Sequence, residues 1–319
     1  MIRFLHLVQN ENMKIYRRTG TWVMFGLLLV AIIGMAFLMK AHLSSQSEDD
    51  WKQSLMKENK SMEIQLRKEE ILPHVKDELQ KMIAINQYRI EKDIPPMEGT
   101  MWEFARDAGK TLIPLITLFT VIIGANSVAG EFSWGTIKLL LIRPVHRSKV
   151  LLSKYLATLL FSLVMLFSMF LLLLLVGGIV HGFDGWDLPH LYHDGEQVKE
   201  QSMPLHLATL FALGSVELVM MVTFSFMVST VFRSSSMAIG LSIFLMFAGN
   251  QAVFILSKWD QDWIKYLLFA NTDLSPYFGD GTPLVDGITL SFSLMVLGIH
   301  FLLFHLIAWW LFIKRDITA

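Results

Sequence analysis

A carboxylate inside an apolar stretch is the chemical group that stands out first in this sequence. Glu217 lies near the middle of the run from His206 to Phe232. A carboxylate at the centre of a membrane span costs about 2.5–3.5 kcal/mol on insertion scales, so its side chain should face protein or a cavity. It could line a translocation path, carry a proton or make a structural hydrogen bond. The polar residues that could share such a path with it are Asn250, Gln251, His300 and His305.

A second group of candidate ligands lies in one polar loop. Imidazole and carboxylate groups of the types that bind divalent cations recur there, at His181, Asp184, Asp187, His190, His193 and Asp194. Three glycines and a proline interrupt the same stretch and predict a flexible loop with no imposed geometry. A solvated connector is therefore the simpler interpretation, and a metal site is the alternative.

Catalytic and nucleotide-binding motifs are missing from the sequence. Gly109-Lys110-Thr111 is like the end of a phosphate-binding loop, but Phe104 stands where that motif needs its first glycine. No metalloprotease, hydrolase-elbow or dinucleotide-binding pattern occurs. With no cysteine, disulfides and thiolate metal sites are excluded. We expect no enzyme activity and no cofactor on this chain.

The segment from Glu131 to Arg147 carries the most specific pattern. Gly135 and Pro144 bound a short helix predicted over Thr136–Ile142, whose second half is apolar. The following positive charges are Arg143, Arg147, Lys149 and Lys154. A short apolar helix beside basic residues, outside the membrane core, is typical of a docking site for another protein.

The overall composition indicates the class of protein that holds these residues. Of 319 residues, 53% are hydrophobic and only 17% are charged, with a mean hydropathy of +0.48. Soluble domains usually carry about 25% charged residues. The net charge of −1 gives no indication of a nucleic-acid partner. The chain is therefore predicted to be a membrane protein.

Six apolar stretches are long enough to cross a bilayer, which needs about 20 residues per helix. They are Thr21–Met39, Thr111–Val128, Tyr155–Val180, His206–Phe232, Met237–Leu256 and Ile288–Ile313. The predicted fold class is an all-α polytopic membrane protein. Lys and Arg set its orientation, because twelve lie on the flanks shared by both termini and only three in the two short opposite loops. Both termini are therefore expected in the cytoplasm.

Three further segments have their own patterns. Residues 1–18 mix apolar with charged positions and predict an amphipathic helix on the inner membrane face, with a plain basic anchor as the alternative. Within the outer insertion 40–110, residues 48–92 predict a helical pair broken at Pro73. Six aromatic residues in 258–287 predict a segment that lies in or dips into the outer interface.

The pattern in the segment after the second span resembles the signature of ABC transporter permeases of the type 2 exporter class. The residues that carry the resemblance are Glu131, Gly135, Thr136, Leu140, Leu141, Pro144, Arg147 and Lys154, with Glu11, Lys14 and Arg17 near the start. The six-span plan matches as well. The resemblance covers residues 19–319 as one permease domain preceded by the 1–18 helix, with a coupling loop at 130–149 and a re-entrant segment at 258–287.

The resemblance implies a transport function. Two permease chains, identical or related, would form a pathway in a bacterial cell membrane, and two separate ATPase subunits would bind ATP and Mg²⁺ beneath them. The coupling residues would be Glu131, Gly135, Thr136, Leu140, Pro144 and Arg147. The substrate and the role of the helical pair stay open.

Two other function classes fit the same sequence. A gradient-driven transporter or channel would use Glu217 as its relay, with His300 or His305 as partner. A membrane sensor or assembly factor would use the 48–92 pair as its receiver. Association with an ATPase separates both from the exporter.

Overall fold

The fold was analysed in a computed structural model, which describes residues 2–43, 51–67, 73–137, 145–259, 261–278, 283, 285 and 287–314. Within these residues there are nine long helices. They are α1 (Ile2–Tyr16), α2 (Thr19–Leu43), α3 (Trp51–Leu66), α4 (Pro73–Lys92), α5 (Met101–Ser133), α6 (Arg147–His181), α7 (Met203–Val231), α8 (Ser235–Leu256) and α9 (Leu290–Lys314).

Six of these helices are long and apolar enough to cross a membrane, namely α2, α5, α6, α7, α8 and α9. The predicted all-α polytopic fold class is therefore confirmed. The helices extend beyond the predicted apolar stretches, most clearly at α5, which begins ten residues earlier than Thr111. Thr100 explains this start, because its side chain accepts a hydrogen bond from the Glu103 N–H and the Glu103 carboxylate accepts one from the Gly99 N–H.

The centre of the bundle is the contact between α5 and α7, with α6 on one side and α8 on the other. Small residues allow the close approach, since a methyl group added at Gly124 would collide with the Ser225 hydroxyl. Ser229 is fully buried, and its hydroxyl accepts hydrogen bonds from the backbone N–H groups of Val128 and Ala129, at 3.0 and 2.9 Å. A side chain of α7 is thus hydrogen-bonded to the backbone of α5 near one end of α5.

That end of the bundle, called the α1 end below, also holds α1. The helix lies mainly against α6 and buries Val8 and Ile15. Two hydrogen bonds fix the corner into α2, from Thr21 Oγ1 to the Ile15 carbonyl at 2.6 Å and from Trp22 Nε1 to the Tyr16 carbonyl at 2.9 Å. These two hydrogen bonds hold α1 in a fixed orientation relative to the span α2.

The opposite end, called the hairpin end, carries the polar insertions. Helices α3 and α4 pack as a pair, joined by the hydrogen bond from Asn86 to Asn59 at 3.0 Å. The stretch expected to be a flexible loop instead forms an antiparallel hairpin of β1 (Pro189–His193) and β2 (Val198–Ser202). That expectation was wrong because Asp194 caps the turn: its carboxylate accepts the N–H groups of Glu196 and Gln197. Tyr88 of α4 donates to Glu200 of β2 at 2.9 Å.

Candidate functional site: a buried charge cluster at the α1 end

Four charged side chains from three helices meet at the α1 end, and we call them the charge cluster. They are Glu11, Lys14, Glu131 and Lys154. Lys154 Nζ lies 2.8 Å from Glu11 Oε2 and 2.8 Å from Glu131 Oε1. Lys14 Nζ lies 2.8 Å from Glu11 Oε1 and 3.0 Å from Glu131 Oε1. Two positive and two negative charges therefore balance within one contact network.

Burial makes this network energetically important. The Lys154 side chain is 2% exposed and that of Glu131 10%, whereas Lys14 is 46% exposed. A buried ion is costly unless its partners replace water, so each inner charge depends on the others. Burial by itself would lower the pKa of Lys14, but the hydrogen bonds and charges of Glu11 and Glu131 outweigh it and raise that pKa above its usual value. Lys14 therefore stays charged at physiological pH.

The local sequence explains how the four groups reach each other. Glu11 and Lys14 are three residues apart on α1 and so share one face. Glu131 stands in the last turn of α5, and Lys154 lies in the second turn of α6. The two helices that flank the α5–α6 loop thus both contribute a side chain to the cluster.

The start of that loop is shaped by Glu131 and Gly135. The Thr136 hydroxyl donates to Glu131 Oε2, so the carboxylate holds both the helix end and the first loop residues. Gly135 has φ +70°, a conformation that residues with a side chain rarely adopt, and nothing lies within 4 Å of a methyl group added there. The glycine is thus required by its backbone angle, and not by a close neighbour.

The residues expected to couple to an ATPase are placed as follows. Glu131 is turned inward and bound by Lys14, Lys154 and Thr136, so it does not face outward to a partner as its sequence position had indicated. Arg147 begins α6 and donates to the Ile313 carbonyl of α9 at 3.2 Å. Leu140 and Pro144 lie outside the described residues.

A cleft of about 650 Å³ adjoins the cluster, between α1 and the start of the α5–α6 loop. Trp134 forms part of its wall and is 59% exposed, with the Arg18 guanidinium 4.8 Å from the ring centroid. Burial lowers the pKa of Arg18, although the carboxylates of Glu131 and Glu11 act to raise it. An exposed aromatic ring beside a cation is typical of an interaction surface. The sequence patterns had not drawn attention to this pair.

Glu217 lies on the part of α7 that faces α9 and the segment after α8. Its helical neighbours Leu213 and Met220 pack there. Within the described part of the chain, no side chain or backbone group hydrogen-bonds to its carboxylate. The suggested histidine partners bond within their own helix: Nδ1 of His300 and Nδ1 of His305 each lie 2.9 Å from a carbonyl oxygen of α9.

The two amides form no hydrogen bond with Glu217 within the described residues. Asn250 donates to the Met246 carbonyl of its own helix at 3.1 Å, and Gln251 is exposed on the same helix. The hydrogen bonds that Asn250, His300 and His305 form with described residues thus run within their own helices and not to Glu217.

The aromatic segment between α8 and α9 dips into the bundle. It consists of short 3₁₀ turns, Ser257–Trp259, Asp262–Tyr266, Leu268–Ala270 and Ser275–Phe278. The Phe269 ring occupies the space next to Gly249, where an added methyl group would collide with it. Gly249 is seven residues from the end of α8, so at 1.5 Å per residue the ring reaches about 10 Å below that end. Asn271 is fully buried, and its side-chain amide donates hydrogen bonds to the carbonyls of Lys265 and Leu267.

The histidine and aspartate residues of the hairpin end do not converge. His181 stacks on Phe104, His190 on His206, and the His193 ring accepts a hydrogen bond from the Gly195 N–H. Across the described ranges, no group of three or more His, Cys, Asp or Glu is arranged to hold a metal ion.

Comparison with known proteins identifies the family. Residues 82–318 match the family described as "Protein of unknown function (DUF2705)". The chain belongs to this family. The match begins within α4, so it includes Glu131 and Lys154, whereas α1 lies before it.

Two curated relatives come from Bacillus subtilis (strain 168). The chain is 45% identical over 318 residues to "Uncharacterized protein YhcI", covering 98% of this chain and 99% of that protein. It is 35% identical over 207 residues to "Uncharacterized membrane protein YdbK", covering 64% of this chain and 79% of that protein. With the six apolar helices, the second relative supports a multi-pass membrane protein.

Proposed function

We propose that this protein is the transmembrane permease subunit of an ATP-driven exporter of the ABC type 2 class. It works as a dimer of permease chains in the plasma membrane, with both termini in the cytoplasm. Separate ATPase subunits dock at the α1 end and carry ATP and Mg²⁺. The observation that carries the proposal is the charge cluster, because it joins the two helices that flank the predicted docking loop to each other and to α1.

Such a joint can transmit force. Ion pairs link the end of α5, through Glu131, to the start of α6, through Lys154. Glu11 and Lys14 link α1 to the same two residues. Separating buried ion pairs is costly, so a displacement of the loop moves all three helices together instead of bending the loop alone. The interlocked packing of α5 with α7 carries that displacement into the bundle as a rigid-body shift.

The environment of the phosphate-loop-like sequence supports a nucleotide site on another polypeptide. Gly109, Lys110 and Thr111 lie inside the continuous helix α5, where backbone N–H groups bond to carbonyls of the preceding turn. They are therefore not free to surround a phosphate. Phe104, at the position of the missing glycine, is fully buried in the core.

The docking surface in this proposal combines the loop with the adjoining cleft. Trp134 and Arg18 offer an exposed ring and a cation, and Gly135 sets the direction in which the loop leaves α5. Glu131 contributes from inside by holding the loop to the cluster.

The proposal is tested by co-expression with an ATPase encoded beside its gene. We expect the two proteins to purify together, ATP hydrolysis to require the ATPase, and the purified chain alone to hydrolyse no ATP. Gly135→Val should retain membrane insertion but lose coupled hydrolysis and transport, since its left-handed backbone angle costs about 1–2 kcal/mol in any other residue.

The matched control is Gly195→Val, which places the same side chain at another positive φ, of +102°, in the turn at the hairpin end. It should keep ATPase binding and coupling. If the two variants show the same ATPase binding and the same coupled hydrolysis, the loop has no coupling role. Transport that persists without any ATPase would overturn the exporter proposal and favour a gradient-driven transporter.

A further inference from the structure

A second cleft, of about 400 Å³, opens at the hairpin end between α4, the β-hairpin and the last turn of the aromatic segment. We call it the outer cleft. Its size lies within the range of small-molecule sites. Its walls include Glu78 and Met82 of α4, Tyr192 of β1, Thr209 of α7, and Tyr277 and Phe278. No part of the charge cluster contributes to it.

The charges around the outer cleft leave one carboxylate in excess. Lys81 is paired with Asp77 at 2.6 Å, and Asp194 with Lys199 at 2.5 Å. Lys199, followed by the N–H groups of Gln197 and Glu196, lowers the pKa of Asp194, which keeps that pair ionised. Glu78 forms no ion pair or hydrogen bond with the described residues. The cleft therefore carries a net negative charge at Glu78.

The remaining surface is partly polar, through His193, Gln201 and Thr209, and partly aromatic and apolar. Tyr192, Tyr277 and Phe278 present rings, and Met82 and Ile85 present aliphatic groups. Aromatic faces attract cations as well as apolar groups. A site with one unpaired carboxylate and several rings thus complements a positive charge attached to an apolar body.

The floor of the outer cleft is held in place by the protein itself. The Tyr277 hydroxyl lies 3.0 Å from Ser293 Oγ of α9, and the ring packs on the cluster that includes Leu213. Hydrogen bonding between Tyr88 and Glu200 fixes the wall formed by α4 and the hairpin. The site is therefore pre-organised, which reduces the entropy lost on binding.

We propose that the outer cleft is a binding site for an amphipathic organic cation, an amine or guanidine carried on an apolar body. Thr209, Leu213 and Glu217 recur at intervals of four residues and share one face of α7. A ligand in the cleft therefore sits at the outer end of the helix face that carries the mid-span carboxylate. The inference does not depend on an ATPase partner.

The test uses the full chain in lipid nanodiscs and rhodamine 6G, a fluorescent amphipathic cation, with empty discs subtracted. Fluorescence anisotropy gives its Kd, and fluorescein, an anionic dye with the same ring system, gives the charge dependence. We expect Glu78→Gln to weaken rhodamine 6G binding about threefold to fivefold, the upper part of the range for an exposed charge pair. Phe278→Leu should weaken it by a similar factor through loss of the ring face.

The control is Glu91→Gln, which removes an exposed carboxylate from the same helix at a position outside the outer cleft. It should bind rhodamine 6G as the wild type does. The proposal fails if the wild type binds no more dye than empty discs, if fluorescein binds equally well, or if Glu78→Gln matches Glu91→Gln. Because no ATPase is present, dye binding is judged separately from the exporter proposal.

Discussion

Replacing Lys154 by Met tests the charge cluster most directly. Methionine keeps the length and apolar stem of lysine but removes the charge that touches both Glu11 and Glu131 at 2.8 Å. Removing one member of a buried ion pair costs about 3–5 kcal/mol, because the other member is left uncompensated. Lys14 remains within 3.0 Å of both carboxylates, so we expect the lower end, about 3 kcal/mol.

The measurement is thermal unfolding of the purified chain, followed by the fluorescence of its nine tryptophans. For a chain above 200 residues, 1 kcal/mol corresponds to about 2 °C, so Tm should fall by about 6 °C. Lys149→Met is the matched control, since Lys149 lies on the same helix with an exposed side chain. It should change stability by no more than about 0.5 kcal/mol.

A double-mutant cycle with Glu131→Gln decides whether the contact itself is responsible. In Lys154→Met/Glu131→Gln one carboxylate and one ammonium remain, so the cluster is again neutral. The double variant should be at least about 1.5 kcal/mol more stable than the sum of the single losses predicts. Strict additivity would mean that Lys154 and Glu131 do not interact, and the cluster could not then act as a joint.

Three further predictions concern other parts of the fold. Gly249→Val should displace the aromatic segment and cost about 1–3 kcal/mol, and Phe269→Ala should restore part of the stability by vacating the collision site; a Gly249→Val chain as stable as wild type would contradict the packing. Lys57→Cys, the only thiol in that variant, should react with an impermeant reagent from outside the cell, and labelling only after lysis would reverse the proposed orientation. Glu217→Gln should leave Tm unchanged or raise it, because a mid-span carboxylate costs about 2.5–3.5 kcal/mol and no hydrogen bond to a described residue is lost. A marked fall in Tm would contradict this expectation. An unchanged pH dependence of transport in the variant would exclude a relay role for Glu217.

Apolar length was sufficient to predict the six spans, but the ends of the helices needed local signals. Helix α5 begins at Met101 because of the Thr100–Glu103 capping pair, which is a visible Thr-x-x-Glu pattern in the sequence. The β-hairpin also had a local signal, Asp194-Gly195 between two short runs. It was missed because Gly182, Gly185 and Gly195 favoured an unstructured loop and the strands carry few apolar residues.

The charge cluster could not be predicted from the sequence, because it depends on contacts between distant residues. Each of its members could be noticed in the sequence, but not their meeting, because Lys154 is 143 residues from Glu11 and 23 from Glu131. Sequence position placed Glu131 at the start of a docking loop and suggested that it contacts a partner. Only the packing of α1 against α6 shows that two lysines of the same chain already occupy it.

The order of residues in the cluster has a consequence for biogenesis. Glu11 and Lys14 are synthesised before Glu131 and Lys154, and Lys154, which pairs with both Glu11 and Glu131, lies 143 residues after Glu11. Helix α1 therefore cannot reach its final contacts until α5 and the start of α6 have been inserted. Helix α1 is thus synthesised before its partners but docks only after them, and a nascent chain interrupted before α6 carries an α1 that lacks these contacts.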